Sequence, residues 1–79
     1  MKIGIIARIN CHSCIKIARR IIELIPESWE LVLEDKLAKA LNRKGVNFKD
    51  IDADIIIVVG GDGTILRTAQ LSRGKILGI

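Results

Sequence analysis

Aromatic side chains are almost missing from these 79 residues: Trp29 and Phe48 are the only two, and there is no tyrosine. Modules that bind single-stranded nucleic acid stack bases on aromatic platforms set among basic residues. With Trp29 and Phe48 in separate segments, nucleic acid is not an expected partner. Two cysteines are too few for the disulfide framework of a small secreted domain. The N-terminus does not read as a signal peptide, because Arg8 interrupts the apolar run Ile3 to Ala7. Long apolar runs are also lacking: Ile55 to Val59 is strand-sized, well short of the roughly 18 residues that cross a bilayer. No membrane role is expected, and the chain reads as cytoplasmic. Neither sign of charge dominates, since 13 Lys and Arg against 9 Asp and Glu leave +4. That excess suits anionic small molecules as well as it suits nucleic acid. A chain of this length that is 49% hydrophobic has room for one small core and no second domain.

What is present alternates between two periods. Ile3-Gly4-Ile5-Ile6-Ala7 is a continuous, mostly β-branched run, the pattern of a parallel strand covered on both faces. From Ser13, a plausible N-cap, Cys14, Ile17, Ala18, Ile21 and Ile25 recur at three and four residues, opposite Lys16, Arg19, Arg20 and Glu23. This is an amphipathic helix that Pro26 stops. Trp29 to Leu33 is a second strand; Asp35 caps a shorter helix with Leu37, Ala38 and Leu41 facing inward, and Gly45 supplies its C-terminal break. Val46 to Asp54 reads as a surface connection. Asp54 to Val59 is then the strongest strand, expected centrally in the sheet, Thr64 opens a helix to about Leu71, and Lys75 to Ile79 begins a fourth strand. The alternation predicts right-handed βαβ crossovers, hence an α/β, doubly wound parallel sheet with helices on both faces. A strand ending abruptly at Ile79 suggests that residues 1–79 are a fragment.

The segment with chemistry is Gly60-Gly61-Asp62-Gly63-Thr64, between the strongest strand and a predicted helix N-terminus. Doubly wound folds bind ligands at that edge. Glycines admit positive φ and let the backbone approach a phosphate, whose charge the amides of a following helix favour. Asp62 can accept a proton from a hydroxyl or touch a metal carried by a polyphosphate, and Thr64 can cap the helix and donate a hydrogen bond. The plainer alternative is a tight turn with Asp62 as a cap.

Gly60-Gly61-Asp62-Gly63-Thr64-Ile65-Leu66-Arg67, after an apolar strand and before Ile76 to Ile79, resembles the NAD kinase family, in its N-terminal part. The resemblance covers the whole chain in layout, with residues 55 to 67 carrying its specificity. It implies the N-terminal nucleotide-binding portion of an NAD kinase/phosphofructokinase-like fold, with a C-terminal β-rich domain absent. It further implies phosphorylation of the adenosine ribose 2′-hydroxyl of NAD by ATP, or polyphosphate, to give NADP. A divalent metal, with Mg2+ expected, and a homo-oligomeric full-length protein belong to the same implication. Asp62 matches the aspartate proposed to activate that hydroxyl; Gly60, Gly61 and Gly63 match glycines close to phosphates, Thr64 completes the motif, and Arg67 is carried over as a phosphate contact. Gly-Gly-Asp-Gly also occurs in diacylglycerol and sphingosine kinases and in phosphofructokinases. Lipid kinases of this group usually continue with Asn-Glu, and phosphofructokinases usually have Ser at the place of Thr64, so Ile65-Leu66-Arg67 and Thr64 both favour NAD kinase.

Other readings compete. Cys11-His12-Ser13-Cys14 sits between a strand and a helix start, as in thiol redox sites, where the helix dipole lowers a thiol pKa. Against a thioredoxin-like protein, Cys14 fits the buried stripe, and Pro26, the only proline, leaves little to supply a cis-proline loop. Zinc is weaker again, because Cys11, His12 and Cys14 do not readily converge and no second pair exists. A dehydrogenase fingerprint belongs after the first strand, where Arg8 to Cys11 contains no glycine. A third reading keeps the glycine turn as a non-catalytic binding module. Lys16, Arg19 and Arg20, like Lys36, Lys39, Arg43 and Lys44, are most simply the wet faces of two helices. Arg8 is better placed if the strand order is 2-1-3-4, which would bring the end of strand one beside the glycine turn.

Overall fold

The computed structural model describes residues 1–60 and 73–78. Its elements are β1 (Lys2–Ala7), α1 (His12–Leu24), β2 (Glu30–Leu33), α2 (Asp35–Ala40), the short 3-10 turn η1 (Phe48–Asp50), β3 (Asp52–Val59) and β4 (Arg73–Gly78). The four strands form one sheet in the order β2-β1-β3-β4, and every pairing is parallel. The expected α/β, doubly wound architecture is therefore present, with the isoleucine-rich β3 inside the sheet. The helix expected over residues 64–71 lies outside the described residues.

The continuous apolar character of β1 and β3 has a direct cause, because both strands are covered on both faces. On one face Ile3, Ile5 and Ala7 join Leu33 and Val59 beneath Ala18 of α1 and Leu37 and Ala38 of α2. On the other face Ile6, Ile56 and Val58 pack with Ala53 and with Ile51, which directly follows η1, while Val32, Val46 and Ile76 border the cluster. Ile5, Ile56 and Val58 are fully buried, and each such side chain contributes about 1.5–3 kcal/mol relative to exposure. Gly4 makes room for the second layer: a Cβ there would stand 2.9 Å from Ile51 Cγ2.

Several boundaries differ from the sequence reading. Helix α1 begins one residue earlier than Ser13, and its N-cap is Cys11, whose sulfur accepts from the Cys14 amide at 3.3 Å. Ser13 stands inside the first turn. Ile17 is exposed and Ile22 packs on the core instead, because Ile17 is about 100° round the helix from buried Ala18. Strand β2 starts at Glu30, since the Trp29 amide is committed to the Pro26 carbonyl at 3.0 Å. The stretch read as a surface connection contains buried Ile51 and Ala53, and β3 already begins at Asp52. Strand β4 likewise begins at Arg73.

Helix α2 is capped by Glu34 and not by Asp35. The Glu34 carboxylate accepts from the Lys36 amide at 2.9 Å and the Leu37 amide at 3.4 Å, and it is buried there. The helix ends at Ala40 with Leu41 as C-cap, and Asn42 takes the left-handed conformation at φ 57°. Gly45 has another reason: a Cβ would lie 2.6 Å from Ala38 Cβ and 2.8 Å from Asp35 Cα, so the returning chain touches α2 only because no side chain intervenes.

Replacing Glu34 by Ala removes the acceptor of two amides and should destabilise the protein by about 1–2 kcal/mol. Asp35→Ala should cost less, about 0.3–1 kcal/mol, because only the helix-dipole contribution is lost. Urea unfolding of both variants measures the difference, and equal losses would contradict the assignment of the cap.

Candidate functional site

The strand order creates the site. From β1 the chain crosses to β2 on one side, and β3 then lies on the other side of β1. The strand order therefore reverses between β1 and β3, the kind of point at which doubly wound sheets take ligands. The register sets Ala7 beside Val59, and the Arg8 amide donates to the Val59 carbonyl at 2.9 Å. The loop after β1 and the turn after β3 thus leave the sheet side by side.

Gly60 is the first residue of that turn and has φ 151°. Side chains rarely adopt this conformation, so glycine is required where β3 gives way to the turn. It follows Val58 and Val59, both buried, which anchor the turn to the core. Of the site residues read from the sequence, Gly60 is therefore placed at the C-terminal edge, at the end of a central strand. Gly61, Asp62, Gly63, Thr64 and Arg67 lie outside the described residues. Arg8 is where the strand order required, next to Val59 in the ladder, with an exposed side chain.

Beside this edge stands the start of α1. Cys11 accepts from the Cys14 amide, and Ser13 Oγ lies 3.3 Å from its sulfur. The hydrogen bond with the Cys14 side chain, then Ser13, the Cys14 amide and the positive charge of Arg8 lower the Cys11 thiol to about 7. The same contact with Cys11, together with burial, pushes Cys14 up. Both cysteines are free thiols and half-buried. Among the described residues no three His, Cys, Asp or Glu side chains cluster to hold a metal.

Lys16, Arg19 and Arg20 of α1 and Lys36 and Lys39 of α2 are exposed as expected, whereas Arg43 and Lys44, also exposed, lie beyond the end of α2. At the opposite end of the sheet the Lys2 amide donates to Asp54 Oδ2 at 2.9 Å, and Lys2 Nζ stands 3.6 Å from Glu30. These contacts join strand beginnings, far from the ligand edge. Sequence reasoning missed Glu34, whose buried carboxylate closes the C-terminal end of β2; its only signal was a carboxylate ahead of a helix start. The N-capping role of Cys11 was missed because cysteine is not a usual cap.

A parallel α/β domain of the doubly wound class, with its switch point between β1 and β3, is what these features define. The chain belongs to the ATP-NAD kinase family, whose N-terminal domain matches residues 3–79. It is 56% identical over 79 residues to a protein of Picrophilus torridus named NAD kinase, and 48% identical over the same length to one of Thermoplasma acidophilum. A protein of the same name from Methanothermobacter thermautotrophicus is 41% identical over 86 residues. Each alignment covers 100% of this chain, which spans 29% of the first two relatives and 30% of the third. Family and parallel sheet together displace a thioredoxin-like fold as the setting of Cys11 and Cys14.

The Cys11 thiol has a defined pH signature. Only the thiolate reacts with iodoacetamide, so alkylation of Cys11 should be slow below pH 7, rise through a midpoint of about 7, and level off above it. Following the modified peptide by mass spectrometry from pH 5 to about 10 gives the profile. A midpoint near the ordinary value of 9.0 would contradict the hydrogen bonding described.

Proposed function

We propose that the protein carrying this chain phosphorylates the 2′-hydroxyl of the adenosine ribose of NAD, with ATP or polyphosphate as donor, to give NADP. Residues 1–79 supply its N-terminal nucleotide-binding α/β portion, and the catalytic unit includes a C-terminal β-rich domain. The carrying observation is Gly60 at φ 151° at the end of β3, opening the sequence Gly61-Asp62-Gly63-Thr64 at the switch point. Family membership supports the same reading.

In this reading the amides of Gly60, Gly61 and Gly63 approach phosphate oxygens, because no Cβ holds the backbone away. Thr64 caps the following helix and donates a hydrogen bond, while Arg67 adds a positive charge to the phosphate side. Asp62 faces the acceptor ribose, accepts the proton of the 2′-hydroxyl and orients that oxygen toward the phosphoryl group. Phosphoryl transfer asks mainly for positioning and charge stabilisation, so backbone amides and one carboxylate suit the task. Mg2+ is commonly held by one or two carboxylates together with substrate phosphates, and Asp62 would be its protein ligand in the alternative role, in which it does not take the proton. When bound, the metal supplies neutralisation of phosphate charge. A homo-oligomer in the cytoplasm completes the proposal.

The test is NADP formation from NAD and ATP by the full-length protein and its Asp62→Asn variant. Loss of the base should lower turnover by roughly 10²–10⁴-fold with the fold intact. Near-normal turnover in the variant would remove Asp62 from the chemistry. No NADP from the folded parent, with nucleotide still bound, would favour the non-catalytic binding module, and phosphorylation of a lipid hydroxyl would favour the lipid kinases of this superfamily.

A further inference from the structure

We infer that Cys11 and Cys14 form a thiol–disulfide exchange site, in which Cys11 attacks a low-molecular-weight disulfide and Cys14 resolves the product into an intramolecular disulfide. The inference is independent of the kinase reading.

Three observations carry it. The two cysteines are already joined at the helix start, since the Cys14 amide donates to Cys11 Sγ at 3.3 Å. They are three residues apart at the first turn of α1, so closing the pair spans only His12 and Ser13. Their environments are unequal: Cys11 is the cap at the helix end with Ser13 Oγ at 3.3 Å, whereas Cys14 packs against the core cluster of Ile3, Ile5 and Ala18. Cys11 thus has the attacking position and Cys14 the sheltered one. Arg8, in the loop joining β1 to α1, is a positive charge near both sulfurs, and it favours the thiolate of each. The lowered Cys11 pKa agrees with this division, because an attacking thiol works best when its pKa is near ambient pH.

The Cys11 thiolate attacks one sulfur of RSSR, forming a mixed disulfide at Cys11 and releasing RS−, which takes up a proton from solvent. Cys14 loses its proton to solvent and attacks Cys11 Sγ, the bond from Cys11 to the R-bearing sulfur breaks, and a second RS− leaves and is protonated. Two protein thiols are oxidised by two electrons, and one low-molecular-weight disulfide is reduced to two thiols.

The experiment treats the full-length protein with oxidised glutathione near pH 7.5, digests it with trypsin without reduction, and weighs the peptide of residues 9–16, which holds both cysteines. The expected parent product lacks two hydrogens and carries no glutathione. Cys14→Ser should trap the glutathione adduct on Cys11, and Cys11→Ser, which keeps a good capping side chain, should react several-fold more slowly. Competitive alkylation of the unmutated protein with limiting iodoacetamide gives a check that does not depend on the variants folding, with Cys11 labelled several-fold faster than Cys14. A parent peptide left as two free thiols, an adduct trapped on Cys14 in place of Cys11, or equal labelling of the two would overturn the inference. Loss of kinase activity in the Asp62 variant moves none of these masses, so the two readings fail separately.

Discussion

Parallel pairing of β1 with β3 is the constraint on which the rest of the structure depends. The ladder runs from Ile3 beside Ile55 to Ala7 beside Val59, and the Arg8 amide extends it by one more bond to the Val59 carbonyl. Register in a sheet covered on both faces is strongly specified, because a slip by one residue would exchange the two core layers. The layer of Ile3, Ile5 and Ala7 and the layer of Ile6, Ile56 and Val58 hold this register from opposite sides. The ends of β1 and β3 are consequently level, and Gly60 stands at that end, directly after Val59.

That arrangement places Gly60 at the end of a strand held by the core. Buried Val58 and Val59 hold the last turn of backbone before Gly60, and the φ of 151° at Gly60 redirects it. Rigidity comes from the strands and permissiveness from the missing Cβ. The same edge carries the N-terminus of α1, with Cys11 as its cap, because every strand of a parallel sheet delivers its following loop to one end.

The sheet is legible in the sequence because β1 and β3 are continuous apolar runs and the intervening elements change period. Order 2-1-3-4 is one of the common orders of doubly wound folds, so the place of Arg8 is decided by the observed pairing and not by the sequence. Helix caps are much less legible: Cys11 and Glu34 do the capping that Ser13 and Asp35 suggest by residue type, since either of two neighbouring polar groups can meet the same amides and tertiary position decides. Gly45 shows a related ambiguity, as glycine after a helix serves either left-handed backbone or close approach, and here Asn42 takes the first role. Ile51 and Ala53 are hidden by their polar neighbours, whose side chains point away while the two apolar ones close the second core layer. Of the candidate site, the sequence yields the glycine turn at Gly60 and its place at a strand end, but the buried carboxylate of Glu34 depends on how β2 meets α2, which no local pattern encodes.

The central claim is that the turn after β3 holds the phosphates of a nucleotide. A crystal structure of the full-length protein with NAD and a non-hydrolysable ATP analogue tests it most directly. The account predicts phosphate oxygens within hydrogen-bond distance, about 2.7–3.2 Å, of the backbone amides between Gly60 and Thr64. Phosphates seated instead on Lys16, Arg19 and Arg20 of α1, with the glycine turn packed only against protein, would contradict it.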